Sequence, residues 1–209
     1  MNSSTPTYRP PRRPGFTLLE LMVVIAIMGI LVALVASTAG YVRRKGNESK
    51  ALSHIKVMEL GLERYKNDWA EYPEPATTRR ANFGVGSMNV GDALMLYQAL
   101  SGDGSNHIAN VGGTASNGEL GEPSDGEVYV DIMSKDDRTQ NLVGTLGNEY
   151  YAQDPFGHPF LYSRYDPDRP NDTFNKTFDL YSIGPLEISE FQSGSEKDPE
   201  KVAKFIKNW

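Results

Sequence analysis

An apolar run of 27 residues, Phe16 to Val42 (FTLLELMVVIAIMGILVALVASTAGYV), constrains this chain more than any other feature. One residue within it, Glu20, is charged at neutral pH. At ~1.5 Å per residue the run makes a helix about 40 Å long, enough to cross a ~30 Å hydrocarbon core. The residues before it (MNSSTPTYRPPRRPG) are polar and proline-rich, and carry Arg9, Arg12 and Arg13 with no acid. A secretory signal peptide has an apolar core of about 7–15 residues. This run is longer and bears a carboxylate at its fifth position, although the small residues around Ala36 to Ala39 imitate a cleavage site. Charge counting does not orient the span, because Arg43, Arg44 and Lys45 follow it and balance the three arginines before it.

Past Gly46 the pattern turns amphipathic. Ala51, Ile55, Met58, Leu62, Tyr65 and Trp69 recur at spacings of three and four, with Lys50, Lys56, Glu59, Glu63, Arg64, Lys66 and Asp68 between them. This predicts a helix that carries on from the span and buries one stripe under a globular part, ending at Pro73 and Pro75. The stripe covers under three heptads, too few for a coiled coil. Residues 74–126 are rich in Gly, Ser and Asn and hold one predicted helix, Val90 to Leu100. Asp103-Gly104-Ser105-Asn106 lacks the ligand alternation and closing Glu of a calcium loop and reads as a turn. Strands are predicted at Glu127–Ile132, Pro159–Tyr165 and Thr177–Ile183. Asp198-Pro199 reads as the N-cap and first residue of a terminal helix with Val202, Phe205 and Ile206 inward. The expected fold class is α+β, a long N-terminal helix packed on a small antiparallel sheet of three or four strands.

Composition narrows the function. The net charge of −6 argues against nucleic acid as a partner, since phosphate binding needs a basic surface. The chain contains no cysteine, so disulfides and thiol chemistry are excluded. His54, His107 and His158 are too scattered to suggest a metal cluster, and no nucleophile set or phosphate loop supports an enzyme.

Gly15-Phe16-Thr17-Leu18-Leu19-Glu20 resembles the processing site of type IV prepilins, a basic leader ending in Gly, then Phe and an apolar helix with Glu at its fifth position. The resemblance implies cleavage after Gly15 by a prepilin peptidase, N-methylation of Phe16, and a filament-assembly role for Glu20, whose carboxylate pairs with the N-terminal amine of an adjacent subunit. It implies a leader at 1–15, a transmembrane helix at 16–42, its amphipathic continuation at 43–72, and a periplasmic domain at 73–209 with a variable region at 74–153. It also implies a single-pass inner-membrane protein with a cytoplasmic N-terminus.

Three further stretches are similar to the major (G-type) pseudopilins of type II secretion. They are Tyr65-Lys66 with Asp68, Tyr72 and Pro73; Asp154-Pro155-Phe156-Gly157-His158-Pro159-Phe160; and Phe178-Asp179-Leu180-Tyr181-Ser182-Ile183-Gly184. By that resemblance the chain is a structural subunit of a periplasmic pseudopilus, not an enzyme. Its partners would be copies of itself, other pseudopilins, the inner-membrane assembly platform and the prepilin peptidase. A type IV pilin for adhesion, motility or DNA uptake is the alternative, though many such pilins have a disulfide loop this chain cannot form. The sequence departs from the family in two places. Ser37 stands near a position where related helices carry proline, and Gly184 leads into Pro185-Leu186-Glu187 where the family has an acidic calcium-binding loop. The resemblance therefore leaves calcium open, with Glu187 and Asp198 as candidate ligands, while the Pro199 that follows favours Asp198 as a cap.

Overall fold

The computed structural model describes residues 15–74, 80–82, 87–102, 127–133, 142–147, 149–191 and 198–209. It divides into two compact units, Met1–Arg43 and Arg44–Trp209. The leader before Gly15, the Asp103–Asn106 turn, His107 and Pro75 lie outside the described residues.

In the first unit helix α1 begins; its full extent is Leu18–Trp69. Its apolar side chains here are exposed, from Leu18 at 76% to Val35 at 70%. This stretch is long and apolar enough to cross a membrane, and its most apolar window is not buried by any of the described residues. The helix runs unbroken through the Ser37–Gly40 cluster. Without a proline every backbone N–H can stay in the ladder, and the Thr38 hydroxyl donates to the Val35 carbonyl at 3.0 Å.

In the second unit α1 buries the predicted stripe. Ala51, Ile55, Met58, Leu62 and Tyr65 are fully or almost fully buried, and Trp69 is partly so. The same face carries two residues that the apolar pattern alone does not mark, His54 and Gly61. A Cβ on Gly61 would lie 2.4 Å from Val130 Cγ2, so glycine is what lets the segment at Tyr129–Val130 approach the helix. The helix stops at Trp69, three residues short of the expected end, because Ala70 takes a left-handed φ of 66°. The exit is then fastened to later chain. The Tyr162 hydroxyl donates to the Pro73 carbonyl (2.9 Å) and Arg164 Nη1 to the Tyr72 carbonyl (3.0 Å).

Helix α2 (Gly91–Leu100) appears where the sequence predicts it and is buried on all sides. Among the described residues, seven short strands form three separate antiparallel sheets rather than the single sheet expected. Strands β1 (Arg80–Asn82) and β2 (Ser87–Asn89) pair, as do β3 (Val143–Leu146) and β4 (Glu149–Ala152). The third sheet runs β5 (Leu161–Arg164), β6 (Phe178–Ser182), β7 (Ile206–Lys207). The two aromatic strands expected from sequence are β5 and β6.

Two predicted elements are corrected. Glu127–Ile132 is not a strand: the amides of Tyr129 and Val130 both donate to the Leu100 carbonyl (3.1 and 3.0 Å), and a 3-10 turn follows at Asp131–Met133. Those amides satisfy an open carbonyl at the C-terminal end of α2 and are not available for a ladder. The terminal helix α3 is one turn long, Pro199–Val202, and Ile206 belongs to β7 instead. Val202 and Phe205 are buried as expected. They join Met88, Leu161, Tyr181, Ile183 and Leu186 in a second core cluster beside the main one, to which α1, α2, β4, β5 and β6 contribute.

Candidate processing and assembly site

Gly15, Phe16 and Thr17 precede α1 in non-helical conformation, and Phe16 is 81% exposed. Among the described residues, a Cβ at Gly15 would meet nothing within 4 Å. Thr17 is the N-cap. Its hydroxyl accepts from the Glu20 amide (3.2 Å), while Glu20 Oε2 accepts from the Thr17 amide and the Thr17 hydroxyl, both at 2.9 Å. This is a capping box, in which an N-cap Thr and an acid three residues on satisfy each other's amides. The sequence signal for this box is Thr17-Leu18-Leu19-Glu20, a Thr followed three residues on by an acid at the start of the apolar run. Glu20 thus has a local partner that holds its carboxylate at the beginning of the apolar run.

The structure brings the two C-terminal motifs together into one polar network. Asp154 is fully buried; its Oδ1 accepts from the amides of Phe156 (2.9 Å) and His158 (2.8 Å), and its Oδ2 from the Ser182 hydroxyl. Ser182 Oγ in turn accepts from the Gly184 amide at 2.8 Å. His158 Nδ1 lies 3.7 Å from Asp154 Oδ2. Burial pushes the Asp154 carboxyl up, opposed by His158 and by its hydrogen bonds. Gly157 and Gly184 adopt left-handed φ values of 91° and 63°, which explains glycine at both motif positions. A serine, a histidine and an aspartate meet here, but Ser182 and Asp154 are fully enclosed, so the set clamps two chain segments together.

Besides Glu149, two further buried carboxylates are held by nearby donors. Asp92 accepts from Asn89 Nδ2 (3.2 Å) and the Tyr162 amide, and burial pushes it up to about 7. Asp179 accepts from the amides of Phe174 (2.7 Å) and Asn175 (2.9 Å) and is likewise pushed up by burial.

Asp198 Oδ1 accepts from the Glu200 amide at 3.0 Å and caps α3, with Pro199 next, as the cap reading expects. Glu187 is exposed and precedes the 3-10 turn Ile188–Glu190 without a side-chain cap bond. Residues 192–197, which link the two, lie outside the described residues. Among the described residues no cluster of three or more His, Cys, Asp or Glu could hold a metal.

An exposed apolar helix opened by a Gly-Phe-Thr-Leu-Leu-Glu start, followed by a small α+β unit, defines a type IV pilin-like arrangement and the pattern of a single-pass, membrane-anchored chain. Comparison with known proteins carries this further. The family described as "Prokaryotic N-terminal methylation motif" matches residues 11–36. The chain is 47% identical over 62 residues to the type II secretion system core protein G of Aeromonas hydrophila, covering 30% of this chain and 43% of that protein. The same protein of Dickeya chrysanthemi is 45% identical over 62 residues (30% and 40%), and that of Escherichia coli K12 is 44% identical over 62 residues (30% and 43%). The chain thus spans less than half the length of these relatives. No solved structure matches.

Proposed function

We propose that this chain is a structural subunit of the pseudopilus of a type II secretion system, matured by cleavage between Gly15 and Phe16 and N-methylation of Phe16. The observation that carries the reading is the Gly15–Glu20 start: a Gly-Phe bond immediately before an apolar run whose single charged residue is Glu20. A carboxylate in lipid is costly and marks function by default. Cleavage creates an amine on Phe16, and the Phe16 amine of a neighbouring subunit offers Glu20 a counter-ion. In this proposal the leader faces the cytoplasm and the second unit the periplasm, where copies of the chain, other pseudopilins and the inner-membrane assembly platform are its partners.

The test is intact-mass analysis of the membrane form together with filament yield. The mature chain is expected to begin at Phe16 with one added methyl. Glu20→Ala and Glu20→Gln are expected to insert and be cleaved but to give few or no filaments. Gln preserves the capping box, so it removes the charge alone. A mature N-terminus elsewhere would sink the proposal, and normal filaments from Glu20→Gln would reduce Glu20 to a helix cap.

A further inference from the structure

The chain carries a net charge of −6, yet two stretches of it are locally basic. From Arg44 to Lys56 there are Arg44, Lys45, Lys50 and Lys56 against one acid, Glu48. From Lys201 to Trp209 there are Lys201, Lys204 and Lys207 and no acid. These two stretches, far apart in sequence, form the walls of one open groove of about 460 Å³ in the second unit. Lys45 and Lys207 supply its cations and Ser49 a hydroxyl, and Leu52, Phe205 and Ile206 make its apolar surface. Leu52 is 45% exposed.

We propose that this groove binds the headgroup of an anionic phospholipid from the bilayer that holds the N-terminal helix. The chemistry favours this occupant on three counts. Lys45 comes three residues after the end of the apolar run, about 5 Å along a helix, which matches the ~5–7 Å depth of a headgroup layer. Basic residues beside a span are attracted to anionic lipid, and the attraction fades within a Debye length. The Lys207 ammonium is held in place, donating to the Val202 carbonyl (3.1 Å) with the Trp209 ring centroid 5.1 Å away. An ammonium fixed in this way loses little freedom when a phosphate arrives. Glu48 is the internal competitor. It pairs with Lys45 at 2.7 Å and Arg44 at 3.5 Å, and such exposed pairs are easily exchanged for another anion. The inference needs only that the chain is anchored in a membrane; it does not depend on the filament reading.

The experiment is native mass spectrometry of the full-length chain released from nanodiscs of equimolar phosphatidylglycerol and phosphatidylcholine. Phosphatidylglycerol should be retained about 25-fold over phosphatidylcholine, about fivefold for each of the two lysines. Lys45→Gln combined with Lys207→Gln should bring retention to near parity, whereas Lys176→Gln, an exposed lysine outside the groove, should leave it unchanged. Glu48→Gln should raise retention, a gain that misfolding cannot imitate. Three results would overturn the proposal: no preference in the wild type, an unchanged preference in the double variant, or full displacement of the lipid by millimolar inorganic phosphate. The last would make the groove a site for a free anion. Normal secretion with lost lipid selectivity, or the reverse, separates this proposal from that of the preceding subsection.

Discussion

His54 should make the second unit acid-labile, and replacing it should remove that sensitivity. The imidazole is 2% exposed on the buried face of α1, and neither ring nitrogen has a hydrogen-bond partner. Burial, with a smaller contribution from Lys50 one turn earlier, pushes its pKa down from 6.5 to about 4. The sign follows from proton counting. Between pH 6.5 and 4 the unfolded chain binds the proton and the folded chain does not, so stability falls as pH falls through that window. The loss is absent above pH 6.5 and complete below 4. A pKa unit is worth ~1.4 kcal/mol, giving a ceiling of about 3 kcal/mol; partial screening brings the expected loss at pH 4.5 to about 2 kcal/mol. His54→Leu keeps the volume roughly and breaks no hydrogen bond. Its stability advantage over wild type should therefore grow by about 2 kcal/mol between pH 7.5 and 4.5, or about 4–8 °C in Tm for a unit of this size. Thermal melts of the full-length chain in detergent, followed by near-ultraviolet circular dichroism, measure it. Buried Asp92, pushed the other way, titrates in both proteins and cancels in the difference. An advantage equal at the two pH values would refute the reasoning.

Two further substitutions test the way the second unit is built. Gly61→Ala places a methyl 2.4 Å from Val130 Cγ2, so overpacking of about 1–3 kcal/mol should outweigh the ~1 kcal/mol gained in helix propensity; urea midpoints should show a net loss that Val130→Ala relieves. Ala70→Gly should stabilise by about 1 kcal/mol, because the left-handed φ of 66° strains alanine but not glycine, and a lower midpoint would contradict that account of the helix end.

What the sequence discloses here depends on how local the cause is. The stripe from Ala51 to Trp69 is readable because helix geometry converts burial into a spacing of three and four. His54 and Gly61 share that face unnoticed, since a hydropathy pattern counts one as polar and the other as neutral. The alternation at Glu127–Ile132 looks like a strand, but the nearest open hydrogen-bond acceptor belongs to Leu100, 29 residues from Tyr129. The β3–β4 pairing has a local sign in the sequence, the Gly147-Asn148 pair between two short β-prone runs. Strands β1 and β2 have three residues each, too few to establish a period. Likewise the two C-terminal motifs are visible separately, whereas the meeting of Asp154 with Ser182 requires the turn after β4 to reach the end of β6, 28 residues on.

The N-terminal site shows why a local role and an assembly role for Glu20 need not compete. Glu20 Oε2 receives both Thr17 donors, and a carboxylate has roughly four acceptor sites, so the capping box leaves capacity for a further cation. The cap also fixes the side chain at the first turn of α1 before any partner arrives. An amine from another subunit would then meet a carboxylate already oriented, with less side-chain freedom to lose. Removing Thr17's hydroxyl should accordingly weaken assembly without abolishing it, whereas Glu20→Gln keeps the orientation and loses the attraction. Relative filament yields of Thr17→Val and Glu20→Gln therefore separate the two contributions. If Thr17→Val is the more damaging, orientation and not charge is the principal role of the pair.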